Sequence, residues 1–178
     1  LSDGAHLTYC TNVHAGERWP EVRRNLLDHV TAVKANVCPD RPFGVGLWLS
    51  ADAVHSLSDR EARAELKRLL AEHGLYVFTL NGFPYGAFHG RRVKERVYQP
   101  DWRDPLRLQY SNALAELLAE LLPDGVDGSV STLAGDGTAG FADGPGSSAR
   151  FNIPVRVAVD ASGTVYVADA SNFRIRTI

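Results

Sequence analysis

The sequence predicts an α/β fold followed by a small antiparallel β unit, and three observations support this prediction. Before residue 130, helical patterns alternate with short apolar runs, as in parallel sheets whose strands are connected by helices. From residue 130 onward there is no Lys and no Glu, and short Val-rich runs are separated by turn residues. Apolar residues make up 44% of the 178 residues, which is enough to form a packed core.

The first two predicted strands flank a predicted helix. Residues 7–10 form a short apolar run, and the continuously apolar run at 43–49 is typical of a strand buried on both faces. Between them, apolar residues recur at spacings of three and four, which predicts a helix that ends before Pro39 and Pro42. The apolar residues of this helix are Val22, Leu26, Val30, Val33 and Val37.

A second helix and a third strand follow. Ser58 and Glu61 have the spacing of a capping box, in which each side chain binds the other residue's free backbone amide. Gly74 supplies a left-handed end for the helix that they begin. The apolar run at 75–80 predicts a buried strand. The residues that give the helix its apolar face are Ala62, Leu66, Leu69 and Leu70.

The last helix of this region is predicted to begin at Asp104, a good cap, with Pro105 at the first helical position. A fourth strand is predicted to start at residue 129. The connections are long enough for parallel crossovers, so the residues alone allow a doubly wound sheet or a (β/α) barrel. Residues 11–16 do not match G-x-G-x-x-G, which disfavours a dinucleotide site. Four βα units amount to about half of an eight-unit barrel.

The antiparallel unit is predicted from the alternation of apolar and polar residues. Residues 155–160 alternate with period two, and a Ser-Gly hairpin signal connects them to a partner strand at 164–169. A further strand is predicted at 173–178. Together with 130–133, these segments make four short antiparallel strands, the content of one propeller-type blade. One blade cannot bury its own faces, because repeat units need neighbours.

The candidate ligand-binding residues lie where the predicted parallel strands end, since the carboxyl ends of the strands hold the active sites of parallel barrels. The loop at 81–103 is long, aromatic and polar, and loops of this length are more often functional than idle. Its cationic side chains suit an anionic substrate group. His14 could act as a base or a metal ligand, because imidazole titrates near neutrality. The candidates are His14, Asn81, His89, Lys94, Tyr98, Asp101 and Arg103.

These candidates also have purely structural interpretations. His14 could be a hydrogen-bonded scaffold residue, and Asn81 could cap its own turn. Tyr98 could pack against the core, and Asp101 could pair with Arg103. The sequence contains no H-E-x-x-H motif, no nucleophile elbow and no paired-carboxylate motif. Spacing alone therefore assigns no catalytic residue and no metal ligand.

Charge, hydropathy and cysteine content disfavour several classes of protein. The net charge is −2, which argues against general binding of nucleic acid. No run approaches the roughly 20 apolar residues of a membrane span, and no signal peptide opens the sequence. Cys10 and Cys38 form neither a disulfide framework nor a zinc site. We expect a cytoplasmic protein with no membrane span.

Residues 5–132 resemble the EboE family of metabolite traffic proteins, which in turn looks like the xylose-isomerase-type sugar isomerases and epimerases. The resemblance implies the first half of a TIM-type (β/α)8 barrel, a small polar metabolite as ligand and a divalent metal as cofactor. In the xylose-isomerase-like barrels, the metal-binding carboxylates and histidine lie mainly on later strands, which have no counterpart here. The matching residues are 8–14, 42–47, 93–95, 97–98, 100–105 and Arg107 and, above all, the run NGFPYGAFHG at 81–90.

Residues 130–178 resemble the NHL repeat, which forms a β-propeller blade. Arg156 stands where Gly is usual, and Phe173 stands where His is usual. The resemblance implies a scaffold that binds ligands or proteins. Asp160 and Asp169 are interpreted as turn and strand-end residues. The matching segments are 151–154, 157–160, 165–169 and 172–176.

These observations predict two domains, a partial xylose-isomerase-like barrel at 1–129 and a single NHL repeat at 130–178. The absence of Met, the half barrel and the single blade predict a truncated or chimeric chain that is not catalytically complete. Unpaired sheet edges predict self-association or a protein partner. Three functions follow as hypotheses: handling of a small polar metabolite, an NHL binding scaffold, and a divalent-metal-dependent sugar isomerase or epimerase.

Overall fold

A computed structural model describes most of the chain. The described residues are 6, 8–90, 99–100, 104–131, 139–143, 149–159 and 164–177. Within them lie a parallel sheet with its helices and a separate antiparallel sheet. The predicted mixed α/β class is therefore confirmed, and the first half of a (β/α)8 barrel stays a prediction.

The parallel sheet has four strands in the order β1-β2-β3-β4. In the register, Thr8 lies beside Gly44, and Trp48 lies beside Asn81. Because all four strands run in the same direction, their carboxyl ends meet at one edge of the sheet. The strands are β1 (Thr8–Cys10), β2 (Phe43–Trp48), β3 (Leu75–Asn81) and β4 (Ser129–Ser131).

Helices connect the strands of the parallel sheet. The first predicted helix is a continuous run of α1 (Trp19–Asn25), a π-helical segment (Leu26–Val30) and α2 (Thr31–Val37). The other helices are α3 (Ala51–Ser56), α4 (Arg60–Glu72) and α5 (Pro105–Leu121).

The helix ends show where the sequence prediction was correct and where it was wrong by one residue. Asp104 caps α5 as predicted, because its side chain accepts a hydrogen bond from the Leu106 amide. The cap of α4 is Asp59 rather than Ser58, since the Asp59 carboxylate accepts from the amides of Glu61 and Ala62. The Ser58 hydroxyl instead donates back to the Val54 carbonyl.

One hydrophobic core lies between the parallel sheet and the helices. Val45 and Leu47 of β2 and Val77 and Leu80 of β3 are fully buried in it, and Val130 of β4 extends it. The helices bury their apolar faces against these strands, which is the main source of stability for such a layer. The helix residues of the core include Leu26, Val30, Leu66, Leu69, Leu114, Leu117 and Leu118.

The antiparallel sheet has the order β5-β6-β7. Its strands are β5 (Pro154–Val159), β6 (Val165–Asp169) and β7 (Arg174–Thr177), close to the three strands predicted for this part of the sequence. A short 3-10 turn (Ala170–Asn172) connects β6 to β7. The Ser-Gly hairpin signal lies outside the described residues.

The predicted fourth blade strand has a different partner. Val130 and Ser131 pair with Leu80 and Asn81 of β3, in the parallel sheet, and the rest of 130–133 lies outside the described residues. The Ser129 hydroxyl also donates to Thr79 at 2.8 Å, and Val130 is buried in the core. Of the two roles that the sequence allows for this segment, the structure shows the one in the parallel sheet. The domain boundary at 129/130 stays a prediction.

None of the helices in the described parts of the chain combines the length and the apolarity that crossing a bilayer requires.

Candidate functional site

His14 lies just beyond the carboxyl end of β1, as the sequence predicted. Its Nε2 atom is 2.8 Å from the Tyr9 hydroxyl. Its ring stacks on the His29 ring, with 4.1 Å between centroids and 7° between the planes. The π-helical segment Leu26–Val30 carries His29 and so brings it to the strand end.

The surroundings of His14 favour its neutral form. Burial lowers the pKa of His14 from 6.5, and the nearby charges of His29 and His89 lower it further. At pH 7 the ring is therefore mostly uncharged. A neutral imidazole can accept or donate a hydrogen bond and can act as a base, but it cannot attract an anion by charge.

His89 approaches the same strand end from the segment that follows β3. Its Nε2 atom lies 2.7 Å from the Asn12 carbonyl oxygen. A carbonyl oxygen can only accept, so Nε2 carries a proton, and in the uncharged form of the ring Nδ1 has a free lone pair. This Nδ1 atom is buried and has no hydrogen-bond partner within the described structure. The ring packs against Trp48 and Phe88, with centroid distances of 5.6 and 4.0 Å.

Asn81 ends β3 and holds the turn that follows. Its side-chain oxygen accepts a hydrogen bond from the Phe83 amide at 3.1 Å, which is the turn-capping role that the sequence allowed. The structure thus brings His14 and His89 close to one another and places Asn81 at the neighbouring strand end. The other candidates, Lys94, Tyr98, Asp101 and Arg103, lie outside the described residues.

A buried arginine fixes the segment that leads from Asn81 to His89. Arg107 of α5 is only 3% exposed and donates to the carbonyl of Gly82 at 3.0 Å and to that of Pro100 at 2.9 Å. Its guanidinium also lies 5.6 Å from the Tyr85 ring centroid and 5.7 Å from that of Tyr110. The loop backbone at the carboxyl edge is therefore tied to α5 by one cation.

Tyr110 ties the same helix to β2. Its buried hydroxyl donates to the Leu49 carbonyl at 2.5 Å, and burial raises its pKa well above the ordinary value of a tyrosine. The hydroxyl therefore stays protonated at physiological pH and serves as a structural donor. Pro84, on the loop, accepts from Trp48 at 3.2 Å, so the loop and the strand end form one hydrogen-bonded unit.

The carboxyl edge does not fit a divalent metal in the part of the chain that the structure describes. No group of three or more His, Cys, Asp or Glu side chains there is placed to hold an ion. The Nε2 atoms of His14 and His89 are each occupied by a hydrogen bond. The metal cofactor implied by the xylose-isomerase resemblance therefore has no ligand set among these residues.

A second constellation lies on the antiparallel sheet, around Asp169 at the end of β6. Asp169 is fully buried and accepts hydrogen bonds from the Asn152 amide at 2.6 Å and from the Asn172 side chain at 2.7 Å. It also forms an ion pair with Arg176 of β7, at 3.5 Å. The prediction that Asp169 is a strand-end residue agrees with this position. Its contacts connect the segment before β5, the β6–β7 turn and β7, so we assign it a structural role.

Large apolar side chains stand exposed at the turn end of the antiparallel sheet. Phe173 is 94% exposed and Ile175 is 70% exposed, and Ile153 is exposed beside them. The carbonyl of Ile153 accepts from the Ala170 amide at 3.3 Å, which keeps Ile153 near the β6–β7 turn. We call Ile153, Phe173 and Ile175 the apolar turn surface.

The backbone at the apolar turn surface is strained. Ile153 and Phe173 have φ angles of 52° and 54°, in the left-handed region that side chains other than glycine rarely adopt. Such a conformation costs on the order of 1–3 kcal/mol at each residue and is concentrated at functional sites. The hydrogen bonds of the turn hold this backbone, since Phe173 is the C-cap of the 3-10 turn and its amide donates to the Ala170 carbonyl at 3.0 Å. The side chains of Ile153 and Phe173 are exposed and contribute little packing to it.

Sequence reasoning missed several of these residues. His29 is not among the candidates from the sequence, and no sequence signal connects it with His14, because the stack depends on the tertiary path of the first helix. Arg107 did leave a signal, since it shares the buried helix face with Tyr110, Ser111 and Leu114 at spacings of three, four and seven. An arginine on an apolar helix face predicts a buried hydrogen-bonded cation.

Comparison with protein families assigns residues 151–178 to the NHL repeat. This segment contains β5, β6 and β7, so the NHL prediction is confirmed over these residues. No curated protein and no solved structure matches the chain. The resemblance of residues 5–132 to the EboE family and to the xylose-isomerase-like barrels receives no support from these comparisons. The NHL repeat supports a protein-interaction scaffold.

Proposed function

We propose that the chain is a protein-binding module whose contact area includes the apolar turn surface. The observation that carries the proposal is the strained and exposed placement of Phe173 and Ile153 on a sheet that matches the NHL repeat. Exposed apolar side chains that are held in a costly backbone conformation are typical of interaction sites. Ile175, on the adjoining strand, extends the same surface.

The first prediction tests this surface without disturbing the backbone. Asn tolerates left-handed φ, and Thr favours strands, so Phe173→Asn with Ile175→Thr removes apolar area and keeps the local conformation. We expect proteins captured from an extract of the source organism by the wild-type chain to bind the double variant at least about tenfold more weakly, because apolar anchors dominate interface energies. Quantitative mass spectrometry of the bound proteins measures this.

The matched control is Val37→Thr, which makes a side chain that is 66% exposed on α2 more polar, far in sequence from the segment that matches the NHL repeat. Circular dichroism verifies that all variants keep their secondary structure. Equal capture by the wild-type chain and the double variant would refute the proposal.

A second candidate function is binding of a small polar metabolite at the carboxyl edge of the parallel sheet. The observation that favours it is the buried Nδ1 lone pair of His89, which has no hydrogen-bond partner in the described structure. Buried polar atoms without partners are uncommon in native proteins and call for an explanation. The resemblance to a metabolite traffic family points to the same edge of the sheet.

The second prediction concerns this metabolite. A panel of sugars and sugar phosphates is first screened by calorimetry, with and without divalent cations, to find a ligand of the wild-type chain. We expect this ligand to bind at least about tenfold more weakly to His89→Ala and to Lys94→Ala. His55→Ala changes an exposed histidine of α3 and is the matched control. No binding by the wild-type chain, or unchanged binding by both variants, excludes this candidate.

A further inference from the structure

A cleft runs along β7, the last strand of the antiparallel sheet. Its volume is about 480 Å³, and β7 lines it with Arg174, Ile175 and Arg176. Phe141, Asp143, Ala149 and Phe151 also line it. The site described on the parallel sheet contributes none of these residues, so the cleft is a separate feature, and its β7 residues lie within the segment that matches the NHL repeat.

The two arginines of the cleft differ in their partners. Arg176 is buried, forms ion pairs with Asp143 and Asp169, and donates to the carbonyls of Ala142 and Arg150. These acceptors bind the N–H donors of its guanidinium. Arg176 is thus a structural cation whose charge is balanced by two carboxylates.

Arg174 is the cation that a ligand can reach. It is exposed, and its guanidinium lies 4.2 Å from the centroid of the Phe141 ring. Phe141 is itself 48% exposed. Stacking uses the flat face of the guanidinium and leaves its N–H donors, which point outward in the plane, available to an anion. Arg174 has no carboxylate partner among the described residues, because Asp143 and Asp169 both pair with Arg176.

The backbone of β7 is also available. In the sheet order β5-β6-β7, the described part of the chain pairs β7 with β6 on one side only. An edge strand presents unpaired N–H and C=O groups that can bind an additional strand. Side chains alternate along such a strand, so Arg174 and Arg176 lie on one face, and Ile175 and Thr177 lie on the other.

We propose that β7 binds an extended peptide segment in which acidic side chains alternate with apolar ones. The peptide backbone pairs with the edge of β7, an acidic side chain binds Arg174, and apolar side chains cover Ile175 on the opposite face. This inference rests on the proposed protein-binding function and names the chemistry of the partner. A basic peptide is disfavoured, because the cation at Arg174 would repel it and the nearby carboxylates are already paired.

The third prediction tests charge recognition with the full chain and fluorescently labelled eight-residue peptides. We expect an alternating Glu–Val peptide to bind at least about tenfold more tightly than an alternating Lys–Val peptide, as measured by fluorescence anisotropy. Replacing every Val with Pro should abolish binding, because proline cannot donate to a strand ladder. Equal binding of the Glu–Val and Lys–Val peptides would overturn the proposal.

Reversing the charge of Arg174 gives a second test. Its result stays interpretable even though the substitution also removes the contact between Arg174 and Phe141, because the expected change is an exchange of preference between two peptides. Arg174→Glu should weaken the Glu–Val peptide and strengthen the Lys–Val peptide, whereas Arg41→Glu, at an exposed position in another part of the chain, should change neither. Failure of Arg174→Glu to exchange the preference overturns the proposal. If no peptide binds but Phe173→Asn with Ile175→Thr still abolishes partner capture, the partner chemistry is wrong and the protein-binding function stands. If neither effect is seen, both fail.

Discussion

Replacing Arg107 with methionine is expected to lower the free energy of unfolding by about 3–5 kcal/mol. Methionine can fill much of the same volume, but it cannot donate to the carbonyls of Gly82, Phe83 and Pro100, which accept from Arg107. A buried carbonyl such as that of Gly82 costs about 1–3 kcal/mol when it loses its donor, and the half-buried carbonyls of Phe83 and Pro100 add to this loss. The rings of Tyr85 and Tyr110, which pack edge to face, lose their contact with a cation at the same time.

Urea unfolding followed by tryptophan fluorescence measures this loss, because Trp48 is buried beside the same loop. The matched control is Arg24→Met, at an exposed position of α1, which we expect to change stability by less than about 0.5 kcal/mol. Arg107→Lys should recover only part of the stability, since an ammonium lacks the planar fork that reaches several carbonyls. A loss of less than about 1 kcal/mol in Arg107→Met would contradict the network described for this residue.

Periodicity and capping residues predicted most elements of the parallel sheet, because local chemistry decides them. Asp104 caps α5 and Pro105 begins it, since an aspartate can accept from free amides and a proline needs no hydrogen-bond donor at that position. The continuously apolar run at 43–49 is a buried central strand with neighbours on both sides. Gly74 has a φ of 59° and ends α4, as the left-handed requirement predicted.

Features that depend on tertiary contacts could not be predicted in this way. Helix α3 has six residues, too few to show a clear apolar period, and Ser50 caps it by accepting from the Ala53 amide. The contact between His14 and His29 joins positions that only the folded chain brings together. Candidate residues chosen by their type and by their place at predicted strand ends therefore included Asn81, which caps a turn, and omitted Arg107, which organises the loop.

The short strand at Ser129–Ser131 shows a different limit of sequence reasoning. Alternation of polar and apolar residues suits both a parallel and an antiparallel partner, so the pattern of this segment left its sheet undecided. In the structure, Val130 fills the core of the parallel sheet, and Ser129 donates to Thr79 of β3. The burial of Val130 and the hydrogen bond from Ser129 to Thr79 therefore favour the parallel sheet, and neither contact could be predicted from composition.

Replacing Asp169 with alanine is expected to cost about 3–5 kcal/mol of local stability in the antiparallel sheet. The substitution removes the acceptor of the Asn152 amide and the buried carboxylate beside Arg176. Asp169→Asn should cost less, because an amide oxygen can still accept from Asn152 although the charge is lost. Hydrogen exchange of individual backbone amides measures the effect strand by strand.

Asp143→Ala is the matched control, since Asp143 pairs with the same arginine but has a side chain that is 77% exposed. Water can replace the exposed Asp143 carboxylate, so we expect Asp143→Ala to cost less than Asp169→Ala, and a comparable loss in both variants would contradict the burial argument. The exchange pattern also tests the predicted division at residue 129/130. If Asp169→Ala accelerates exchange in β6 and β7 but not at Val77 and Leu80, the two sheets unfold separately. Faster exchange at those core residues would mean that the NHL segment and the parallel sheet form one cooperative unit.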